Sequence, residues 1–488
     1  MLHFLPNGVN IMRRVSRRSF GKLVSGVAAA GIIPAGRSAL AAPQVRPFPT
    51  GFRWGCATAA YQIEGAVAED GRGKSIWDVF SHTPGAIKDK SNGDVACDSY
   101  HRYAEDARLL KNLGANSYRL SFAWPRIFPD GRGKPNPRGV DHYHRVIDNL
   151  LENGIEPYVT LYHWDLPAAL SGGWESRDTA HAFADYAEYV AAQFSDKVRH
   201  FITLNEISTF IDVGYGTKVH APGLALGPGK RLNQARHHAL LAHGLGVEAI
   251  RARARVGTKI GLAENSAVTI PVIETPLHIA AAKRAFRSLN ALHLVPILDG
   301  AYPPERLAEL GSDAPDIRDG DMNSIGSNLD FIGLNVYSGE YVEHADTAAG
   351  FKVVTGGANY PVMMLDWLKI APESTYWAAR LLSELWNPQA IYVSENGAVA
   401  ADAPSKGEIT DIERIMFLRN YLGHMQRATA EGYPVKGYFL WTLLDNFEWA
   451  EGFSARFGLH YTDFRTQQRT PKLSAEWYRE LIARNALV

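Results

Sequence analysis

Apolar residues along this chain gather into short runs that end abruptly in polar side chains, and longer stretches with apolar positions three and four apart lie between them. The short runs are residues 52–59 (FRWGCATA), 117–124 (SYRLSFAW), 156–164 (EPYVTLYHW), 200–206 (HFITLNE), 259–265 (KIGLAEN), 330–337 (DFIGLNVY), 391–397 (IYVSENG) and 437–444 (GYFLWTLL). Helical spacing covers 100–113, a segment around 143–151, and then 180–194, 233–254, 281–292, 377–385 and 412–431. Strands that alternate with helices and carry no hairpin-type turns predict parallel pairing through crossover helices. Eight such strands in one chain predict an α/β protein with a single closed (β/α)8 TIM barrel, whose reactive groups lie on the loops at the C-terminal strand ends. Residues 65–98, 210–232 and 338–376 read as irregular, rich in Gly, Pro and aromatics, and are expected to wall a pocket.

Composition changes the picture little. The 488 residues are 46% hydrophobic, 21% charged and 11% aromatic, ample for a large core. Lys plus Arg and Asp plus Glu both total 51, so the formal net charge is zero. That balance argues against nucleic acid or an anionic membrane as partner, since either favours a basic excess. A homo-oligomer is left open.

The N-terminal forty or so residues differ in kind. Arg13, Arg14, Arg17 and Arg18 precede a run of apolar and small residues at 23–35, and Ala39-Leu40-Ala41 offers a small-x-small cleavage site. Residues 16–22 (SRRSFGK) resemble a twin-arginine signal, which is a receptor-read address and not an anchor. The run is too short, too glycine-rich and too interrupted by Pro34 for stable membrane insertion. Residues 1–41 are therefore expected to be an export signal, with translation starting at Met1 or Met12, and the mature protein to be periplasmic or secreted. Only Cys56 and Cys97 remain for a disulfide. Two cysteines are too few for a scaffold, and although pairing stays open, two buried free thiols are expected.

The strand ends carry the chemistry. In order they present Gln62 with Glu64, Arg119, His163 with Trp164, Asn205 with Glu206, Glu264 with Asn265, Asn335 with Tyr337, Glu395, and Trp441 followed by Glu448 and Trp449. One glutamate at a strand end is more often a cap than a catalyst, and one Trp is usually core. Their recurrence at corresponding places favours a sugar site, because a sugar offers hydroxyls for polar groups and a C–H face for aromatic rings. Two glutamates on two strand ends, Glu206 and Glu395, are the minimum equipment for cutting a glycosidic bond. Other motifs fall away. Gly244-Leu245-Gly246 with Ala249 mimics a dinucleotide fingerprint but lies within a helical run with no strand before it. His237-His238 and His142-x-His144 read as loop or helix-surface histidines without the carboxylate partners a metal site needs. No cofactor and no metal are expected.

The segments ATAAYQIEGA (57–66), YRLSFAWPRI (118–127), YHWDLPAAL (162–170), TLNE (203–206), HAPG (220–223), GLNVY (333–337), SENG (394–397) and DNFEWAEGFSARFGLHYTDF (445–464) closely resemble glycoside hydrolase family 1, the family of retaining β-glucosidases. The likeness runs through 52–479 and implies that 42–488 is one catalytic domain. It implies Glu206 as general acid/base and Glu395 as nucleophile, about 5 to 5.5 Å apart as retention requires. It further implies that Arg119 and Tyr337 hold the nucleophile ionised and that Asn205 donates to the sugar 2-OH. Gln62, His163, Glu448 and Trp449 would bind the other hydroxyls, with Trp164 and Asn335 also in the substrate site. Trp441 would form the stacking floor, Phe457 its lining, and Trp367 a platform on the leaving-group side. Ile207 stands where the family usually has Pro, and Val336 replaces a common Tyr. Glu448 would repel a 6-phosphate, which disfavours phosphoglycosides; galactosides and fucosides stay open. A non-catalytic glycan-binding protein on the same frame is the alternative, and it would ordinarily lack one of the two carboxylates.

Overall fold

In the computed structural model, which describes residues 47–488, eight parallel strands close on themselves. They are β1 (Arg53–Ala57), β2 (Ser117–Ser121), β3 (Glu156–Tyr162), β4 (His200–Asn205), β5 (Lys259–Glu264), β6 (Phe331–Asn335), β7 (Ile391–Asn396) and β8 (Val435–Trp441). Neighbours in sequence are neighbours in the barrel, and β8 returns to pair with β1 in register from Arg53 with Gly437 to Ala57 with Trp441. A long helix follows each strand: α1 (Ser99–Asn112), α2 (Pro137–Glu152), α3 (Arg177–Phe194), α4 (Lys230–Arg253), α5 (Pro276–Leu289), α6 (Ser374–Trp386), α7 (Ile412–Ala430) and α8 (Leu473–Arg484). The predicted barrel is the observed one. The predicted export signal, residues 1–41, lies outside the described residues.

The strands are buried nearly throughout because a parallel sheet covered by helices is buried on both faces, and most of their residues are apolar. In β3 every residue after Glu156 is buried. The helices show the complementary pattern. Pro137 opens α2 at its first position, and Val140, Tyr143, Val146, Ile147 and Leu150 form one buried stripe at three- and four-residue spacing. Ile147 is fully buried; truncating it to Ala should cost about 2–5 kcal/mol. In α5, Thr275 accepts from the backbone N–H of His278 and Pro276 follows, so the helix starts ahead of the apolar spacing that announced it at 281.

Several expectations need correction. A hairpin, His460–Asp463 with Gln468–Pro471, precedes α8, and neither was read from the sequence. The stretch 338–376 is not irregular throughout: Glu340–Glu343 pairs with Lys352–Val354 on one side and Thr269–Pro271 on the other in a small three-stranded sheet. His142, His237 and His238 are buried and not at the surface. His237 meets Tyr302 and Asp321, and His238 meets the Trp174 carbonyl. Gly244 lies inside α4 because a Cβ there would come within 2.1 Å of the Ser324 carbonyl oxygen; its glycine serves close packing. Cys56 and Cys97 are buried and free, as expected. Among the described residues, no helix is long and apolar enough to cross a membrane.

Candidate active site

The strand ends open into a cavity of about 420 Å3. Of the fourteen residues assigned catalytic or binding roles from the sequence, His163, Trp164, Glu206, Tyr337, Trp367, Glu395, Trp441, Glu448, Trp449 and Phe457 line it, as does the strand-end Asn265, whereas Glu64 turns away to Arg126 and Tyr143. The other four, Gln62, Arg119, Asn205 and Asn335, are fully buried and hydrogen-bonded to this lining.

Both strands that deliver a carboxylate slip out of register just before it. Pairing of β4 with β5 shifts between Ile202 and Asn205, and β7 shifts against both neighbours after Val393. Such breaks re-aim side chains at a sheet rim. After Glu395 and Asn396 comes Gly397, where a Cβ would fall 1.8 Å from the Trp441 carbonyl oxygen, so the chain leaving Glu395 must be glycine there.

The two glutamates sit in contrasting surroundings. Arg119 pairs with Glu395 Oε1 through one nitrogen, donates to Asn205 Oδ1 at 2.6 Å through another, and to Thr160 Oγ1 at 3.2 Å through Nε. Tyr337 Oη donates to Glu395 Oε2 at 2.9 Å. Burial raises the Glu395 carboxyl, and the Arg119 charge and these donors pull it back. Among the described residues, Glu206 has no cation paired with it. Asn335 Nδ2 donates to its Oε1 at 2.7 Å. Burial and then the charge on Glu395 push Glu206 up to about 8. The arrangement therefore favours a proton on Glu206 and a charge on Glu395.

The amides are fixed by their network. Asn205 Oδ1 accepts from Arg119 and from Asn335 Nδ2, so its Nδ2 faces His163 Nε2 at 2.9 Å and donates to it. His163 is held neutral by burial and by the Arg119 charge, which leaves its proton on Nδ1. That Nδ1 and Gln62 Oε1 have no partner among the described residues. Gln62 Nε2 donates to the Phe447 carbonyl at 2.9 Å and to Glu448 Oε2 at 3.3 Å. Burial and the charge on Glu395 raise Glu448 to about 8. Trp164, whose indole N–H donates to the Asn205 carbonyl at 2.9 Å, packs 4.4 Å from Trp449 between ring centres. Trp367 edges toward Tyr337 and is 53% exposed, at the open side.

The wall also holds Thr209, Val213, Val219, His220 and Leu365, none of them singled out individually. The irregular stretches 210–232 and 338–376 were the signal, together with the HAPG motif. Stretch 65–98 does not line the cavity; it buttresses the wall, with Trp77 packed 4.6 Å from Trp449 and Asp89 accepting from the Phe453 N–H. The departure at Val336 is buried, its N–H donating to the Glu395 carbonyl at 2.8 Å and its own carbonyl accepting from Asn396.

Glycosidic bonds are cut by carboxylate pairs of this kind, one giving a proton and the other meeting the anomeric carbon. Barrel and site together define a glycoside hydrolase. The profile of glycosyl hydrolase family 1 matches residues 44–487, and the chain belongs to that family. It is 44% identical to β-glucosidase A of Thermotoga maritima over 447 residues, 91% of this chain and 99% of that protein. It is 43% identical to a bifunctional β-D-glucosidase/β-D-fucosidase of Bifidobacterium breve over 461 residues, 89% of this chain and 98% of that one. The structure of a β-glucosidase from Thermotoga maritima in complex with glucoimidazole superposes with a TM-score of 0.83 at 43% identity, covering 91% of this chain and all of that chain.

Proposed function

We propose that the protein releases terminal non-reducing β-D-glucosyl residues from oligosaccharides and from aryl and alkyl glucosides, by double displacement with retention. The reading rests on one observation: two buried glutamates line one cavity, and only Glu395 has a cation and a phenol donating to it. Glu395 attacks the anomeric carbon while Glu206 gives its proton to the departing glycosidic oxygen. Water then enters, Glu206 takes a proton from it, and the ester bond to Glu395 breaks with the first configuration restored. Asn205 faces the 2-OH, an interaction that tightens in the oxocarbenium-like transition state. His163 Nδ1, Gln62 Oε1 and the Glu448 carboxyl, protonated below about 8, supply donors and acceptors for the other hydroxyls, and Trp441 and Trp449 the apolar faces. The glucosidase and fucosidase names of the relatives support a glucosyl substrate with tolerance at the 4- and 6-positions, since D-fucose inverts the 4-OH and lacks the 6-OH.

The experiment is hydrolysis of nitrophenyl β-glucoside, β-galactoside, β-fucoside and β-mannoside, and of cellobiose, by the parent, Glu395→Ala and Glu206→Ala. Glu395→Ala should lose turnover by at least about 10⁴-fold with its circular dichroism unchanged. Glu206→Ala should still release a burst of dinitrophenol from an activated glucoside, because that leaving group needs no proton. Near-normal turnover by the first variant, or no burst from the second, overturns the assignments.

We also propose that the enzyme works outside the cytoplasm, on the twin arginines of residues 16–22 and the small-x-small site at 39–41. Full-length protein should appear cleaved in the periplasmic or secreted fraction, and Arg17→Lys with Arg18→Lys should retain it in the cytoplasm.

A further inference from the structure

We infer that Glu264 is a positioning residue for the general acid, gripping from β5 the backbone turn that carries Glu206. Glu206 is the N-cap of a one-turn helix, Ile207–Ile211, but its side chain makes no capping hydrogen bond because it faces the cavity. The exposed N–H groups of that turn need an acceptor from elsewhere. Glu264 supplies it. Its Oε2 accepts from the Ile207 N–H at 2.8 Å, and its Oε1 accepts from the Ser208 N–H at 3.1 Å and from the Ser208 hydroxyl. The residue before it, Ala263, accepts the Glu206 N–H at 2.8 Å. Adjacent positions of β5 thus hold the peptide units on both sides of Glu206.

That grip has work to perform. Glu206 lies in the left-handed region at φ 53, ψ 69, which a side-chain-bearing residue keeps only when its surroundings over-determine it. Ile207 is fully buried, and unlike the proline expected at this place it brings an N–H that would otherwise be stranded. Glu264 is itself 1% exposed and is not part of the cavity lining, so it acts through Glu206 and not on the sugar. Its carboxylate substitutes from a neighbouring strand for the cap that a catalytic glutamate cannot provide for itself.

The inference rests on Glu206 being the acid, and the test separates the two claims. The readout is the ratio of kcat/KM on 2,4-dinitrophenyl β-glucoside, whose leaving group departs unprotonated, to that on methyl β-glucoside, whose leaving group needs the proton. Glu206→Gln is the control and should raise the ratio steeply. Glu264→Leu should raise it by about tenfold or more, the expected effect of a misplaced acid. Glu264→Gln, which keeps an acceptor oxygen, should raise it less. Adding Ile207→Pro to Glu264→Leu should bring it back toward the parent, because proline has no N–H to satisfy and suits the first helical position. An unchanged ratio in Glu264→Leu together with a lower Tm overturns the inference and leaves a purely structural role. Should that variant not fold, an unchanged ratio in Glu264→Gln overturns it equally. If Glu206→Gln also leaves the ratio unchanged, the acid assignment itself has failed.

Discussion

Deleting the charge on Glu395 should loosen the proton on Glu206. Burial comes first in holding that proton and the Glu395 carboxylate second, and together they place the group at about 8. At the separation of about 5 to 5.5 Å expected of a retaining pair, two like charges repel by about 3 kcal/mol at an effective dielectric constant of about 20. That is about two decades of proton affinity. Glu395→Gln keeps the shape of the side chain and removes its charge, so Glu206 should then titrate well below about 8, still above free glutamate because it is as buried as before. Glu264 also faces Glu206 and adds a smaller repulsion, which the substitution leaves in place. Carboxyl carbon NMR of 13C-glutamate-labelled protein, with Glu206→Gln to assign the signal, reads both values. In the parent, if Glu206 is the proposed acid, the same group should set the alkaline limb of kcat/KM, with activity falling as pH rises through about 8. Identical titration of Glu206 with and without the Glu395 charge would refute the coupling and return the whole shift to burial.

Tyr337→Phe removes the 2.9 Å donor to Glu395. It should lower kcat/KM by about 10²-fold or more in steady-state hydrolysis, with little change in Tm. Trp367→Ala, at the exposed side of the cavity, should raise KM for aryl glucosides by about five- to tenfold while azide release of the glycosyl-enzyme proceeds as in the parent. Glu448 is raised to about 8, so the stability of its neutral form is complete below the ordinary glutamate range and is lost as pH rises through about 8. Glu448→Gln cannot ionise. Scanning calorimetry should show its Tm gaining on the parent by about 2–5 °C between pH 5 and pH 9.

The barrel was legible because each buried strand is an apolar run that must stop where the sheet meets solvent, and the residues at those stops are the site. Glu206, Glu395, Asn205 and Arg119 stand out for that reason alone. What stayed hidden depends on partners distant in sequence. The helix α4 is buried nearly all round, so its amphipathic signal is faint and His237 and His238 look like surface residues until Asp321 and Trp174 come up beside them. Glu264 looked like one more strand-end carboxylate; its partners Ile207 and Ser208 lie one strand away in the barrel. The small sheet of Thr269–Pro271, Glu340–Glu343 and Lys352–Val354 escaped notice because strands this short lack a readable alternation and are joined through long excursions.

Those excursions have a consequence for how such an enzyme diversifies. Glu206, Glu395 and the Arg119 guanidinium belong to the barrel, whereas Val213, Val219, Leu365 and Trp367 arrive on segments inserted after β4 and β6. Selection acting on one inserted segment can therefore retarget the alcohol that departs without retuning the catalyst. Exchange of 210–232 or 338–376 between relatives is the natural unit for transplanting that preference.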